Sequence, residues 1–269
     1  MITHRPHARL AFGQGRASDG SRELPEEVAV AITYNGSTQA VMMATPADLT
    51  DFAYGFSLTE GIAMPEEIDS IEVVEAELGI DLQIWLKDAA QARQSARRRS
   101  MAGPVGCGLC GIDSLEEAAR KPRVVTEQGF TLSPNQIMAA MAALTDHQPL
   151  HDITRAAHAA AFWAPGAGIL AAREDVGRHN ALDKLIGALA RAPHVDGALV
   201  LTCRTSIDMV QKAAAAGFAM IIAASAPTAT AVDMADKAGI TLIGLARRDG
   251  FEVFTHSHRI APEEAADVA

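Results

Sequence analysis

Two short runs constrain this chain more than anything else in it. Ala198-Leu-Val-Leu201 and Ala219-Met-Ile-Ile-Ala223 are apolar at every position. Alternate side chains of a strand face opposite ways, so such a run is stable only where both sheet faces are covered. Residues 206–216 between them read as a helix, and a helix at 228–238 followed by a strand at 240–245 repeats the unit. Strand, crossover helix and strand imply a partly parallel sheet with helices on its faces. A helix over 177–191, a strand over 197–202 and a short final strand over 251–255 extend the pattern. Upstream, strands at 158–163 and 168–173 flank Pro165-Gly166 and predict a hairpin.

The first hundred residues read differently. Segments 27–33 and 38–44 are rich in apolar and β-branched residues and join through Asn35-Gly36, a strong hairpin signal because both residues tolerate positive φ. Thr45-Pro46 predicts a helix start, with Thr45 as N-cap, Pro46 at the first position and Asp48 near the positive end. Leu49, Phe52, Ala53 and Phe56 then recur at helical spacing, and Gly61 is the stop. Strands at 68–75 and 79–87 and a polar helix at 88–101, carrying Arg97, Arg98 and Arg99, complete a small α+β domain over 25–102. Residues 1–24, polar and glycine-rich, are expected to be a flexible terminus. The α/β domain is assigned to 113–269, entered through a helix capped by Asp113 or Ser114 that stops before Pro122. A further helix opens at Ser133-Pro134 and runs to about Leu144.

Between the domains, residues 103–112 hold Gly-Cys-Gly-Leu-Cys-Gly, in which Cys107 and Cys110 are bracketed by Gly103, Gly106, Gly108 and Gly111. So many glycines exclude a stable helix or a central strand, leaving a loop that presents two thiols. Three functions fit. A zinc half-site needs two more ligands, yet Cys203 is the only other cysteine and no paired His motif exists. Dithiol redox chemistry places the first Cys at a helix start just after a strand, which this loop is not. Sulfur carriage requires a reactive thiol on a mobile arm, and the nearby arginines would favour the thiolate. Spacing alone does not choose among them.

Bulk properties bound the rest. The net charge of −10 over 269 residues argues against a general nucleic-acid binder. No run reaches the ~18 apolar residues of a membrane span. The basic start at His4, Arg5, His7 and Arg9 lacks the apolar stretch of a secretory signal. Three cysteines fit a reducing compartment, so a cytoplasmic protein is expected.

Several motifs, spread in order over roughly 28–260, resemble the FdhD family of formate dehydrogenase accessory sulfur carriers. They are Tyr34-Asn-Gly36, Phe56-Ser-Leu-Thr-Glu-Gly61, Gly106-Cys-Gly-Leu-Cys-Gly111, His158-Ala-Ala-Ala-Phe-Trp163, Glu174-Asp-Val-Gly-Arg-His-Asn-Ala-Leu-Asp-Lys184, Met209-Val-Gln-Lys212 and Phe254-Thr-His256. The glycine-bracketed Cys pair together with Glu-Asp-Val-Gly-Arg-His is the specific combination. The resemblance implies a cytidine deaminase-like α/β domain preceded by the small α+β domain. It implies a sulfurtransferase-type carrier that accepts sulfur from a cysteine desulfurase and delivers it to the molybdenum bis(guanylyl molybdopterin) cofactor of formate dehydrogenase. Cys107 would carry the persulfide and Cys110 would assist or resolve it. By analogy the chain is expected to be a homodimer. The alternative is a cofactor-binding chaperone whose cysteines hold zinc or are redox-active. A zinc deaminase is set aside, because the chain has neither His-x-Glu nor Pro before Cys107 and its thiols precede the α/β core.

By the same resemblance, cofactor contacts fall on Leu245, Ala246, Arg247, Arg248, Asp249 and Gly250, where the arginines could pair with phosphate. Thr205 and Ser206, opening a helix after a strand, are a second anion-binding candidate. Arg178 and His179, which follow Gly177 at another such start, are a third. Asp183 and Lys184 are assigned to surface or packing, His158 to the core, and Cys203 to packing with ligand contact as the alternative.

Overall fold

The computed structural model describes residues 1–13, 15–100, 122–125 and 129–261; the Cys107–Cys110 loop and the helix expected after it lie outside them, as do the side chains of Arg97, Arg98 and Arg99. At its centre is a six-stranded sheet in the order β12-β11-β10-β9-β7-β8. β9 (Ala198–Leu201), β10 (Met220–Ala223) and β11 (Thr241–Arg247) run parallel, Leu199 opposite Ile221 and Ile221 opposite Leu242. β7 (His158–Ala164) pairs antiparallel with β9, and β8 (Gly168–Asp175) with β7, so β8 again points the way β9 does. β12 (Gly250–Val253) closes the other edge, antiparallel to β11.

Every residue of β9 and β10 is buried, and the side chains divide by parity as a doubly covered sheet requires. Leu199, Leu201, Ile221 and Leu242 pack with α5 (Arg178–Leu189), α6 (Ile207–Ala216) and α7 (Ala229–Ala238). Val200, Met220, Ile222 and Ile243 pack on the opposite face with Ile137 and Leu144 of α3 (Pro134–Leu144). α3 begins as expected: Ser133 Oγ accepts from Gln136 N–H while Gln136 Oε1 accepts from Ser133 N–H, a reciprocal cap.

The second sheet has the order β4-β3-β6-β5, from β3 (Val28–Tyr34), β4 (Ser37–Ala44), β5 (Ile68–Ala76) and β6 (Gly79–Leu86). Asn35 and Gly36 turn the first hairpin with φ of 47° and 77°, the two positive values its sequence promised. α1 (Leu49–Thr59) lays Phe52 and Phe56 on this sheet's core of Val30, Ile32, Leu82 and Ile84, and α2 (Asp88–Ser100) follows β6. The opposite side of α1 meets α5. A Cβ on Gly55 would lie 1.7 Å from the carbonyl oxygen of Asp183, and one on Gly187 would lie 1.9 Å from that of Asp51. The two helices touch backbone to backbone, joining the sheets through one seam.

Two expectations need correcting. Residues 1–24 are not an unstructured tail: β1 (His4–Gly13) and β2 (Arg16–Pro25) pair over their whole length as a separate antiparallel ribbon. Backbone pairing needs no apolar side chains, so a polar composition concealed it. A single-turn helix, α4 (Pro149–Thr154), follows α3 and packs near β2. α1 begins at Leu49, with Asp48 at its cap in the left-handed region (φ 53°), and Thr45 does not cap it. Thr45 Oγ1 accepts instead from Val176 N–H at 3.1 Å, which ties the start of α1 to the end of β8. Of the two alternatives for Asp183 and Lys184, surface or packing, their 2% and 0% exposure gives packing, in the seam.

Candidate functional site at the strand ends

The parallel register brings distant segments to one edge of the six-stranded sheet. β8, β9, β10 and β11 all end there, and β7 starts there, with His158 opposite Asp175. The carboxyl edge of such a sheet is where α/β proteins place ligands. The loops touch in sequence along it. Thr228 N–H donates to Thr205 O at 3.0 Å, and Leu245 N–H to Ser225 O at 3.3 Å. Arg247 Nε donates to Ala224 O at 3.1 Å. At the other end, His179 Nε2 pairs with Asp208 Oδ2, linking the first turns of α5 and α6.

The polar atoms here are unusual in having too few partners. Among the described residues, the buried side-chain nitrogen and oxygen atoms without any partner are Arg178 Nε, Thr205 Oγ1 and Ser206 Oγ, since His179 Nε2 and Asp208 Oδ2 contact each other. These three are at the mouths of α5 and α6. Neither helix is capped by a side chain, although Ser206 occupies the cap position of α6. Burial pulls the pKa of His179 below the usual imidazole value, with Asp208 opposing the shift. Burial does the same to His158, reinforced by the Arg178 guanidinium. Cys203, 4% exposed, is pushed up to about 11, so it is a protonated, packed thiol rather than a nucleophile.

A model of the FdhD/NarQ family matches residues 25–261. The chain belongs to this family. A relative from Agrobacterium fabrum, named sulfur carrier protein FdhD, is 53% identical over 261 residues, covering 96% of each chain. One of the same name from Brucella abortus is 50% identical over 254 residues, covering 93% of this chain and 94% of its own. Among solved structures, an assigned formate dehydrogenase accessory protein from Desulfotalea psychrophila superposes with a TM-score of 0.74 at 22% identity, over 97% of this chain and 100% of that one. At that identity the likeness establishes the shared mixed α/β fold.

In this FdhD/NarQ chain the sequence candidates Arg178, His179, Thr205 and Ser206 meet at one end of the strand edge. Leu245, Ala246, Arg247, Arg248, Asp249 and Gly250 form the end of β11 and its turn into β12, two loops further along. Leu245 has a φ of 53°, Ala246 is buried and Arg248 is exposed. Cys107 and Cys110 lie outside the described residues.

Sequence reasoning missed the groups behind the mouth. Lys212 Nζ, 7% exposed, donates at 3.0 Å to each of Thr59 Oγ1, Glu60 Oε1 and Asp183 Oδ2. Burial opposes its charge, but Asp183 and Glu60 outweigh it and hold the pKa above the normal lysine value. The signal was available, because Lys212 falls on the apolar face of α6 with Met209 and Ala213. Both Met209-Val-Gln-Lys212 and Phe56-Ser-Leu-Thr-Glu-Gly61 were motifs of the resemblance, and the fold brings them together. Among the described residues no group of three or more His, Cys, Asp or Glu could hold a metal ion, and no helix is long and apolar enough to cross a membrane.

Proposed function

We propose that this chain is a sulfur carrier that accepts sulfane sulfur from a cysteine desulfurase and delivers it to the molybdenum bis(guanylyl molybdopterin) cofactor for formate dehydrogenase. The observation that carries the reading is near-full-length identity of 50% and 53% to proteins named sulfur carrier protein FdhD. In the loading step the Cys107 thiolate attacks the terminal sulfur of the desulfurase persulfide. The old S–S bond breaks, the desulfurase thiolate leaves, and Cys107 holds the persulfide. If Cys110 then attacks the Cys107 sulfur, the terminal atom departs as sulfide and the two thiols supply both electrons as a disulfide.

The acceptor is a substrate with pyrophosphate groups and guanine rings. Donor-rich helix mouths at Arg178, His179, Thr205 and Ser206 suit its anionic part, and the segment from Leu245 to Gly250, with Arg247 and Arg248, is its second contact. The expected partition into a small α+β domain, a cysteine loop and a cytidine deaminase-like domain, a homodimer and a cytoplasmic location belong to the same proposal.

Intact mass after incubation with a desulfurase and cysteine tests it. Wild type should gain the mass of one sulfur, lost on reduction, and Cys107→Ala should gain none. Comparison with Cys110→Ala separates loading from release. An unmodified wild type beside an active desulfurase would overturn the carrier role.

A further inference from the structure

We infer that β1 is an arm whose free edge pairs antiparallel with β5 of a second copy of this chain, two copies exchanging arms about a two-fold axis. The pair is the homodimer of the proposed function, on which this inference rests, now given its contacting strands.

Both strands have an edge without a neighbour. β1 pairs only with β2, and β5 is the last strand of its sheet, beside β6 alone. A two-stranded ribbon standing by itself is at best marginally stable in water, and an open strand edge offers unpaired main-chain groups to another chain. Both strands are long, ten residues in β1 and nine in β5, and both hold apolar side chains in solvent. Leu10 and Phe12 are 55% and 79% exposed, and Val73 and Val74 of β5 are exposed as well.

Charge chooses the occupant. β1 carries His4, Arg5, His7 and Arg9 and no acid, whereas β5 carries Asp69, Glu72 and Glu75 and no base. Pairing β1 with β1, or β5 with β5, sets like charges side by side; β1 against β5 joins opposite ones. Within one chain the two do not pair, because the ribbon leads from Pro25 into β3, and β6 stands between β3 and β5. A second copy supplies the strand. Each copy then gives one arm and receives one, which closes the assembly.

Main-chain parity fixes which faces meet. Antiparallel strands alternate hydrogen-bonded and non-bonded pairs. Glu26 N–H donates to Thr3 O, so the odd residues of β1 bond to β2 and the even ones, among them Ala8, Leu10 and Phe12, turn their main-chain groups outward. Pro6, which lacks an N–H, falls on the outward side, where β2 does not need one. In β5 the tight turn closed by Ala76 and Gly79 bonds the even residues to β6 and leaves Ile71, Val73 and Glu75 outward. Strands that bond through outward groups set those residues opposite each other on one side of the sheet. Leu10 opposite Ile71 and Ala8 opposite Val73 then make an apolar row, and Arg9 falls opposite Glu72 on the other side. One register satisfies both faces at once.

Sedimentation velocity of the full chain tests it. Wild type should be a dimer. Leu10→Asp places a charge in the apolar row and alters a residue half in solvent, so it should spare the fold. It should raise the dimer dissociation constant about a hundredfold, through two symmetric contacts. Arg9→Glu and Glu72→Arg should each raise it roughly tenfold, and the double variant should return to within about threefold of wild type. Arg16→Glu makes the same charge change on β2, away from the pairing edge, and should stay within about twofold. Circular dichroism confirms that each variant is folded. A monomeric wild type overturns the arm exchange and the homodimer together. A series of larger species that grows with concentration overturns the two-fold closure. A dimer that survives Leu10→Asp, or charge reversals without rescue, overturns the arm exchange and leaves a homodimer built elsewhere. Persulfide on Cys107, read by mass, stands or falls separately.

Discussion

α5 shows two opposite treatments of buried polar groups within two turns. At its mouth, Arg178 has a partnerless Nε, beside the equally unsatisfied hydroxyls of Thr205 and Ser206. One turn on, in the seam against α1, partners are abundant. Lys184 Nζ donates to Asp175 Oδ2 at 2.6 Å and to Thr45 O at 2.9 Å, while Thr45 N–H and Asn180 Nδ2 also reach that carboxylate. Asp183 accepts from Thr59 and Lys212, and Asp51 from Arg173 and Arg191. The same helix gives every buried charge a partner where it packs against α1, and leaves three donors without one where it opens half-buried on the strand ends. The seam is closed by its own partners, and the mouth is not.

Breaking the seam should therefore cost stability and spare binding chemistry. The largest effect is expected from Lys184→Met. It strands the fully buried Asp175 carboxylate, and removing one member of such a pair costs about 3–5 kcal/mol. Urea unfolding measures it, and a loss below ~1 kcal/mol would show that the pair is solvated or dispensable. Next is Gly55→Ala. Its new methyl would meet main chain rather than a pliable side chain, so α1 and α5 must part, at about 1–3 kcal/mol or more. An unchanged unfolding midpoint would refute the backbone contact.

Smaller effects sharpen the contrast at the helix starts. Thr228→Ala removes a working cap and should cost about 1 kcal/mol. Ser206→Ala removes a hydroxyl that caps nothing, so its cost should stay within about 0.5 kcal/mol, or reverse sign as an unsatisfied group disappears. Equal losses from both would dissolve the distinction between mouth and seam.

The sequence made this contrast only partly legible. Apolar strands, Asn35-Gly36 and Ser133-Pro134 acted locally, and their elements formed where expected. Thr45 misled because its hydroxyl is claimed by Val176, 131 residues away, which local capping rules cannot anticipate. The β1–β2 ribbon was hidden because its order comes from main-chain pairing. The candidates at 178, 179, 205 and 206 could be named as helix starts, but only the parallel register puts them on one edge. That Lys184 and Lys212 are core cations depends on carboxylates supplied by other elements, and a charged residue in isolation reads as surface.

The histidines at the mouth give the smallest and most discriminating prediction. Burial lowers the pKa values of His158 and His179 below the 6.5 of the exposed group, with Arg178 adding to the effect on His158. The unfolded chain therefore binds protons more readily than the folded one. The corresponding stability is fully present above pH 6.5 and is lost as pH falls through that value towards the lower folded pKa. Unfolding midpoints measured from pH 8 down to 5.5 should decline at the acid end, and His158→Gln should decline less steeply, without the contribution of that group. An identical slope in the variant would remove His158 from the account.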